Sequence, residues 1–146
     1  MKKSFHTKNI HTILILSIIL VLCISASTFA FVEASSYLAS YTTTITAEGS
    51  SKILITFDVA ATGKMTSIGV TQIEVQKKVG NNWVTDTTLT ASNYPNFLTS
   101  NSIGHASSVR ITGISGTQYR AVLTFYAADS SGSDSKNLTG STVTCY

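Results

Sequence analysis

Nucleophilic catalysis needs a Ser or Cys within hydrogen-bond reach of a base. Beyond residue 34 the chain has one His, His105, and one thiol, Cys145. Nothing in their spacing pairs them, and His105 reads as a polar loop residue. Gly113-x-Ser115 opens like a nucleophile elbow, but position 117 is Thr where that motif has Gly, and no helical pattern follows. Glycoside hydrolysis needs two carboxylates flanking a cleft. Glu48, Asp58, Glu74, Asp86, Asp129 and Asp134 are instead scattered over turns and strand faces, with no preferred pair. One His and one Cys cannot close a structural zinc site. The stretch Asp129 to Asp134 offers at most a weak calcium site, because it lacks the dense Asp/Asn alternation of a calcium loop; a solvated hairpin turn is the plainer reading. The sequence therefore predicts no catalytic residue, no metal site and no cofactor, and argues against an enzyme.

Binding chemistry is better represented. Tyr94, Asn96 and Phe97 lie in a long Asn- and Ser-rich stretch around Pro95. Aromatic rings stacking on sugar faces, with an Asn amide bonding hydroxyls, would suit a wall glycan or another polysaccharide, and loops on rigid sandwiches commonly carry binding. The same aromatics would equally serve to fold inward, with Leu98, over an open edge of the molecule. Trp83, just after a turn, reads as a core plug before a ligand platform. Cys145 is a candidate for an intermolecular disulfide, or else a small apolar residue at the end of a last strand. Asn137-Leu138-Thr139 matches a glycosylation acceptor, which a bacterial origin would make idle.

The amino-terminal segment sets the compartment. Lys2, Lys3 and Lys8 precede a run from Ile13 to Ile24 that is apolar but for Ser17, and small residues follow through Ala34. A basic start, a short apolar run and a small-residue end are the parts of a secretory signal. Val32-x-Ala34 is the preferred cleavage site and Thr28-x-Ala30 the second; an uncleaved anchor is the alternative, since Ile13 to Val32 is just long enough to span about 30 Å of bilayer. Leu22 before Cys23 argues against lipidation. Removal of residues 1–34 leaves seven basic and six acidic residues. The nearly neutral remainder gives no electrostatic basis for binding nucleic acid or an anionic membrane. With Cys23 gone, no internal disulfide can form.

The elements that must position these residues are strands. About a third of residues 35–146 are Ser or Thr, 17 and 19 respectively, yet the single Pro and a clear period of two exclude a disordered stalk. In Lys52 to Val59, Ile53, Ile55, Phe57 and Val59 share one face while Lys52, Thr56 and Asp58 share the other, giving one buried and one wet side. Upstream, Tyr41, Thr43 and Ile45 are in phase, and Glu48 to Ser51 make a turn. Ile68 and Val70 sit on even positions but Ile73, Val75 and Val79 on odd ones, so a bulge is expected near Thr71-Gln72. Gly80-Asn81-Asn82 signals a hairpin turn before an arm from Trp83 to Leu89. Ala91 to Ser108 reads as the longest irregular stretch, with few core candidates. Val109 and Ile111 resume a strand; Tyr119, Ala121, Leu123, Phe125 and Ala127 alternate on the next; Lys136 to Cys145 forms the last. About seven short antiparallel strands over residues 35–146 fit a single two-sheet sandwich, with a small closed barrel as the alternative.

Gly113 to Leu123, with its turn leading into Thr117-x-Tyr119 and an alternating strand, resembles the E–F corner of fibronectin type III and Ig-like domains, and Ala127 to Ser135 resembles their polar F–G loop. The early Pro-rich strand and early Trp of those domains are missing. The resemblance implies sandwich topology and a Tyr119 hydroxyl bonded to upstream backbone; it implies no function, because this fold hosts many. Residues 35–146 also resemble a family of small uncharacterised secreted proteins of Gram-positive bacteria, through Tyr37 to Tyr41, Gly69 to Val75, Asn93 to Asn96, Val122 to Ala127 and Gly132 to Ser135. That likeness implies export and one domain, and no activity.

The expectation is thus a secreted, all-β, Ig/fibronectin type III-like sandwich over 35–146, preceded by a helical signal peptide over 1–34. It would act as a non-catalytic module binding a wall glycan, another cell-surface component or an extracellular protein, with no nucleic-acid partner and no membrane after cleavage. The alternative is a structural or assembly protein, joined as a disulfide dimer through Cys145 or by strand-edge pairing. A small hydrolase would need His105 buried beside Cys145 or an acid.

Overall fold

Strand alternation dictates the architecture of the computed structural model, which describes residues 35–146; the export segment expected over 1–34 lies outside the described residues. Seven full strands are present: β1 (Leu38–Gly49), β2 (Lys52–Met65), β3 (Ser67–Val79), β4 (Asn82–Thr90), β6 (Ser102–Thr112), β7 (Gln118–Ala128) and β8 (Ser133–Thr139). Two two-residue strands, β5 (Leu98–Thr99) and β9 (Val143–Thr144), bring the total to nine. All pairings are antiparallel. One sheet has the order β1-β2-β6; the other has β4-β3-β7-β8, with β5 on the edge of β3 and β9 on that of β7.

The inward phases of the two sheets meet as an apolar core. Tyr41, Ile45, Ile53, Ile55, Phe57, Val59 and Val109 come from the first sheet, and Val70, Ile73, Val75, Leu89, Tyr119, Leu123 and Phe125 from the second. The buried core lies wholly between Leu38 and Cys145 and contains no polar or charged side chain among the described residues. Residues 35–146 accordingly form one compact unit around this core. Aromatic edges knit the sheets: Phe57 meets Phe125 nearly perpendicular at 6.3 Å between centroids, and Tyr41 lies 5.0 Å from Phe125, a range in which ring quadrupoles attract.

The phase change in β3 is resolved by a bulge. Val70 pairs Phe125 and Gln72 pairs Thr124, so Thr71 is the extra residue, and the apolar set stays inward on both sides. Its exposed carbonyl accepts the N–H of Ala91 at 2.9 Å. The corner before β7 is the expected one: Ile114 donates its backbone N–H to the Tyr119 hydroxyl at 3.0 Å, while the Tyr119 ring is buried.

Two segments differ from the sequence reading. Ala91 to Ser108 is not one irregular stretch: it holds a 3-10 turn (Pro95–Phe97), β5 and the first half of β6. The signal was weak because β6 is an edge strand. Its backbone pairs with β2 continuously from Gly104 to Thr112, which requires no apolar alternation in the Ser- and Gly-rich part. The strand expected from Lys136 to Cys145 is split into β8 and β9 at residues 140–142, where Gly140 packs so close to β1 that a Cβ there would lie 2.7 Å from Ile45 Cδ1.

Candidate functional site

The 3-10 turn turns its aromatic inward. Phe97 is fully buried, with its ring at right angles to Phe57 and 5.9 Å from it. That position withdraws Phe97 from any ligand-contacting surface: it seals the seam between β3 and β6. Tyr94 stacks on Phe97 at 5.0 Å and 12°. Asn96 is tied in through its side chain, which donates to Ser107 Oγ at 3.0 Å, and through its carbonyl, 2.8 Å from His105 Nε2. Close approach of the loop to β3 depends on Gly69: a Cβ there would stand 2.0 Å from the Phe97 carbonyl oxygen, at a φ of +148° that side chains rarely adopt. Of the three residues expected to bind ligand, one is core, one is stacked upon it and one braces β6.

Cys145 is likewise enclosed. Its thiol is free and fully buried, against Gly113, Tyr119 and Ile53: a Cβ at Gly113 would lie 2.9 Å from Sγ, 3.0 Å from the Tyr119 ring and 3.1 Å from Ile53 Cδ1. A disulfide to a second chain would require Cys145 to leave this packing, and in the folded unit it fills the small apolar role. His105 pairs with Val59, midway along β2. The six steps of strand from Ile53 to Val59 at about 3.3 Å each separate it from Cys145 by roughly 20 Å, which dissolves that dyad. Half-buried, His105 tilts against Phe57, with ring centroids 5.9 Å apart.

The Asp129–Asp134 loop uses its carboxylates locally. Asp129 Oδ1 accepts the N–H groups of Ser131 at 2.6 Å and Gly132 at 3.2 Å, closing the turn. Asp134 accepts the Ser135 N–H at 2.7 Å. Its bond with Ser35, reinforced by that N–H, holds the Asp134 carboxyl below the usual carboxylate range. Trp83, expected as a core plug, is half-buried on the outer side of β4.

A substantial concavity lies elsewhere, on the outer face of β1-β2-β6. It is a trough of about 420 Å³ lined by Thr42, Thr44, Thr56, Asp58, Ala106 and Ser108 together with intervening backbone. Register explains the grouping. Thr42 pairs Asp58 and Asp58 pairs Ala106; Thr44 pairs Thr56 and Thr56 pairs Ser108. Two cross-strand rows of short side chains thus lie side by side. Asp58 is exposed and free of hydrogen bonds and ion pairs among the described residues. Beyond Leu54 the face is closed off by Arg110, whose Nε and Nη2 bind the two Glu48 carboxylate oxygens at 2.7 and 3.1 Å. The guanidinium bond holds the Glu48 carboxyl below its ordinary value. An unoccupied acceptor amid hydroxyls that both donate and accept is suited to bonding polyols.

Sequence reasoning placed Asp58 on a wet strand face but left it among scattered acids. The usable signal was the polar phase of Thr56-x-Asp58 lying near Thr42-x-Thr44-x-Thr46, which acquires meaning only once β1 is known to flank β2. No protein-family model matches the chain, and a search of curated proteins finds no relative.

Proposed function

We propose that this protein is a non-catalytic, exported binding module that holds a hydroxyl-rich polysaccharide, such as a wall glycan, in the trough on β1-β2-β6. The observation that carries the reading is the free Asp58 carboxylate, central in the Thr42–Asp58–Ala106 row and beside the Thr44–Thr56–Ser108 row. The trough volume of about 420 Å³ falls within the range of small-ligand sites. Asp58 accepts two sugar hydroxyls, Thr42 and Ser108 bond their neighbours, and the Ala106 and Thr methyl groups meet the apolar ring face. Support for a binding role over a catalytic one comes from the separation of His105 and Cys145 and from the local engagement of Asp129 and Asp134. Export from a Gram-positive cell is part of this proposal and rests on the amino-terminal segment.

The test is co-sedimentation of residues 35–146 with insoluble wall material and a panel of insoluble polysaccharides. The parent is retained by at least one, and Asp58→Asn and Thr56→Val are released from it while melting like the parent. Retention by none overturns the glycan reading. Equal retention of parent and Asp58→Asn removes the trough from it.

A further inference from the structure

The opposite outer face, on β4-β3-β7-β8, carries a different chemistry. Trp83 on β4 pairs Lys78 on β3, and Gln76 pairs Arg120 on β7. From two strands away Arg120 reaches the indole, with Cζ 4.6 Å from the ring centroid; the Lys78 ammonium lies 5.9 Å from the same ring. Both distances are within cation–π range. Two cations are thereby gathered on one aromatic surface although residues 35–146 are almost neutral as a whole.

The cluster is braced from behind. Arg120 Nε donates to Gln76 Oε1 at 2.7 Å, and Gln76 Nε2 donates to Glu74 Oε1 at 2.7 Å. Thr85 donates to the same Glu74 oxygen. Asp86 is paired with Lys77 at 2.7 Å, and Glu74, fixed by Thr85 and Gln76, acts on Arg120 only through the field of its charge and makes no hydrogen bond or ion pair with it. Arg120 uses only Nε in this chain of bonds, so the fork of its two terminal nitrogens remains for a ligand. A guanidinium oriented by stacking and by one hydrogen bond has lost much of the freedom that binding would otherwise remove, and its fork matches a phosphate or carboxylate.

We infer that Arg120 and Lys78, seated on Trp83, form a second binding site, for the phosphate or carboxylate groups of an anionic polymer. This site stands apart from the trough, on the other sheet, and does not depend on the glycan reading.

Trp83 is the only Trp in the chain, so its fluorescence reports on this site alone. Residues 35–146 are titrated with inorganic polyphosphate, with polygalacturonate and with neutral dextran. A saturable change in emission is expected with one or both polyanions and none with dextran. Polyphosphate alone marks a phosphate-bearing source, polygalacturonate alone a uronate-bearing one, and both mark the shared chemistry. Arg120→Gln is expected to weaken binding about tenfold, as the loss of a charge-assisted pair. Lys78→Gln, which leaves the Gln76–Glu74–Thr85 bonds intact, weakens it by about threefold as the loss of a screened charge. Lys64→Gln binds like the parent. Absence of any saturable change overturns the inference, as does a loss in Lys64→Gln equal to that in Arg120→Gln, which would mean non-specific attraction.

Discussion

The Tyr94–Phe97 loop and the β1-β2-β6 face are both polar stretches with chemistry to offer, and they spend it in opposite directions. In the loop almost every distinctive group is consumed by the fold: Phe97 in the core, Tyr94 on Phe97, the Asn96 amide on Ser107 and its carbonyl on His105. On the face, Thr42, Asp58 and Ser108 contribute little to the fold beyond backbone pairing, and Asp58 is bound to nothing among the described residues. Aromatics in a loop signal binding only if the loop leaves them outside. Here the seam between two sheets needed a plug, and a plug is made of the same residue types as a sugar platform.

The contrast predicts a double dissociation: loop changes alter stability and face changes alter retention. The largest stability effect is expected at Phe97. Phe97→Ala empties a fully buried ring site and should cost about 3–5 kcal/mol in urea unfolding, while the protein that remains folded is still retained by the glycan. Gly69→Ala presses a methyl onto the Phe97 carbonyl at an unfavourable φ and should cost about 2–3 kcal/mol in the same measurement. Tyr119→Phe removes the acceptor of the Ile114 N–H at the corner and should cost about 1 kcal/mol. Asp58→Asn should change stability by less than about 0.5 kcal/mol, as expected of an exposed site, yet weaken glycan retention about tenfold. A Phe97→Ala protein as stable as the parent, or an Asp58→Asn protein that unfolds early, would break the comparison.

The smallest effect is in pH. Glu48 is held low by its bond to Arg110, Glu74 by Thr85 and then Gln76, and Asp134 by Ser35 and then the Ser135 N–H. Carboxyl groups with lowered folded-state values stabilise the fold above their ordinary values near pH 4, and that contribution is lost as pH falls through the lowered ones. Thermal melting should therefore be nearly flat from about pH 8 to 5 and decline below about pH 4, and Glu48→Gln should make the decline shallower. The melting temperature of that variant should lose less than the parent's between those two ends.

What the sequence made legible followed period and phase. The inward set of β2, the Thr71 bulge between Val70 and Ile73, the Gly80 turn and the Tyr119 corner all depend on residues a few positions apart, where alternation and turn chemistry act directly. The start of β6 was hidden because an edge strand pairs through backbone, and Gly104 to Ser108 carry no apolar rhythm. The inward turn of Phe97 was undecidable locally: it depends on Gly69, twenty-eight positions earlier, having no Cβ to obstruct the loop. The trough was invisible for a related reason. Thr44, Thr56 and Ser108 come from three strands, and only their cross-strand register makes them neighbours.

The most direct test is amide chemical-shift mapping of residues 35–146 titrated with soluble wall-glycan fragments. Shifts confined to Thr42–Thr46, Leu54–Asp58 and Gly104–Ser108, with Tyr94–Leu98 silent, are the predicted result. Shifts centred on Tyr94–Leu98, or none anywhere, would contradict the assignment of binding to the face and of structure to the loop.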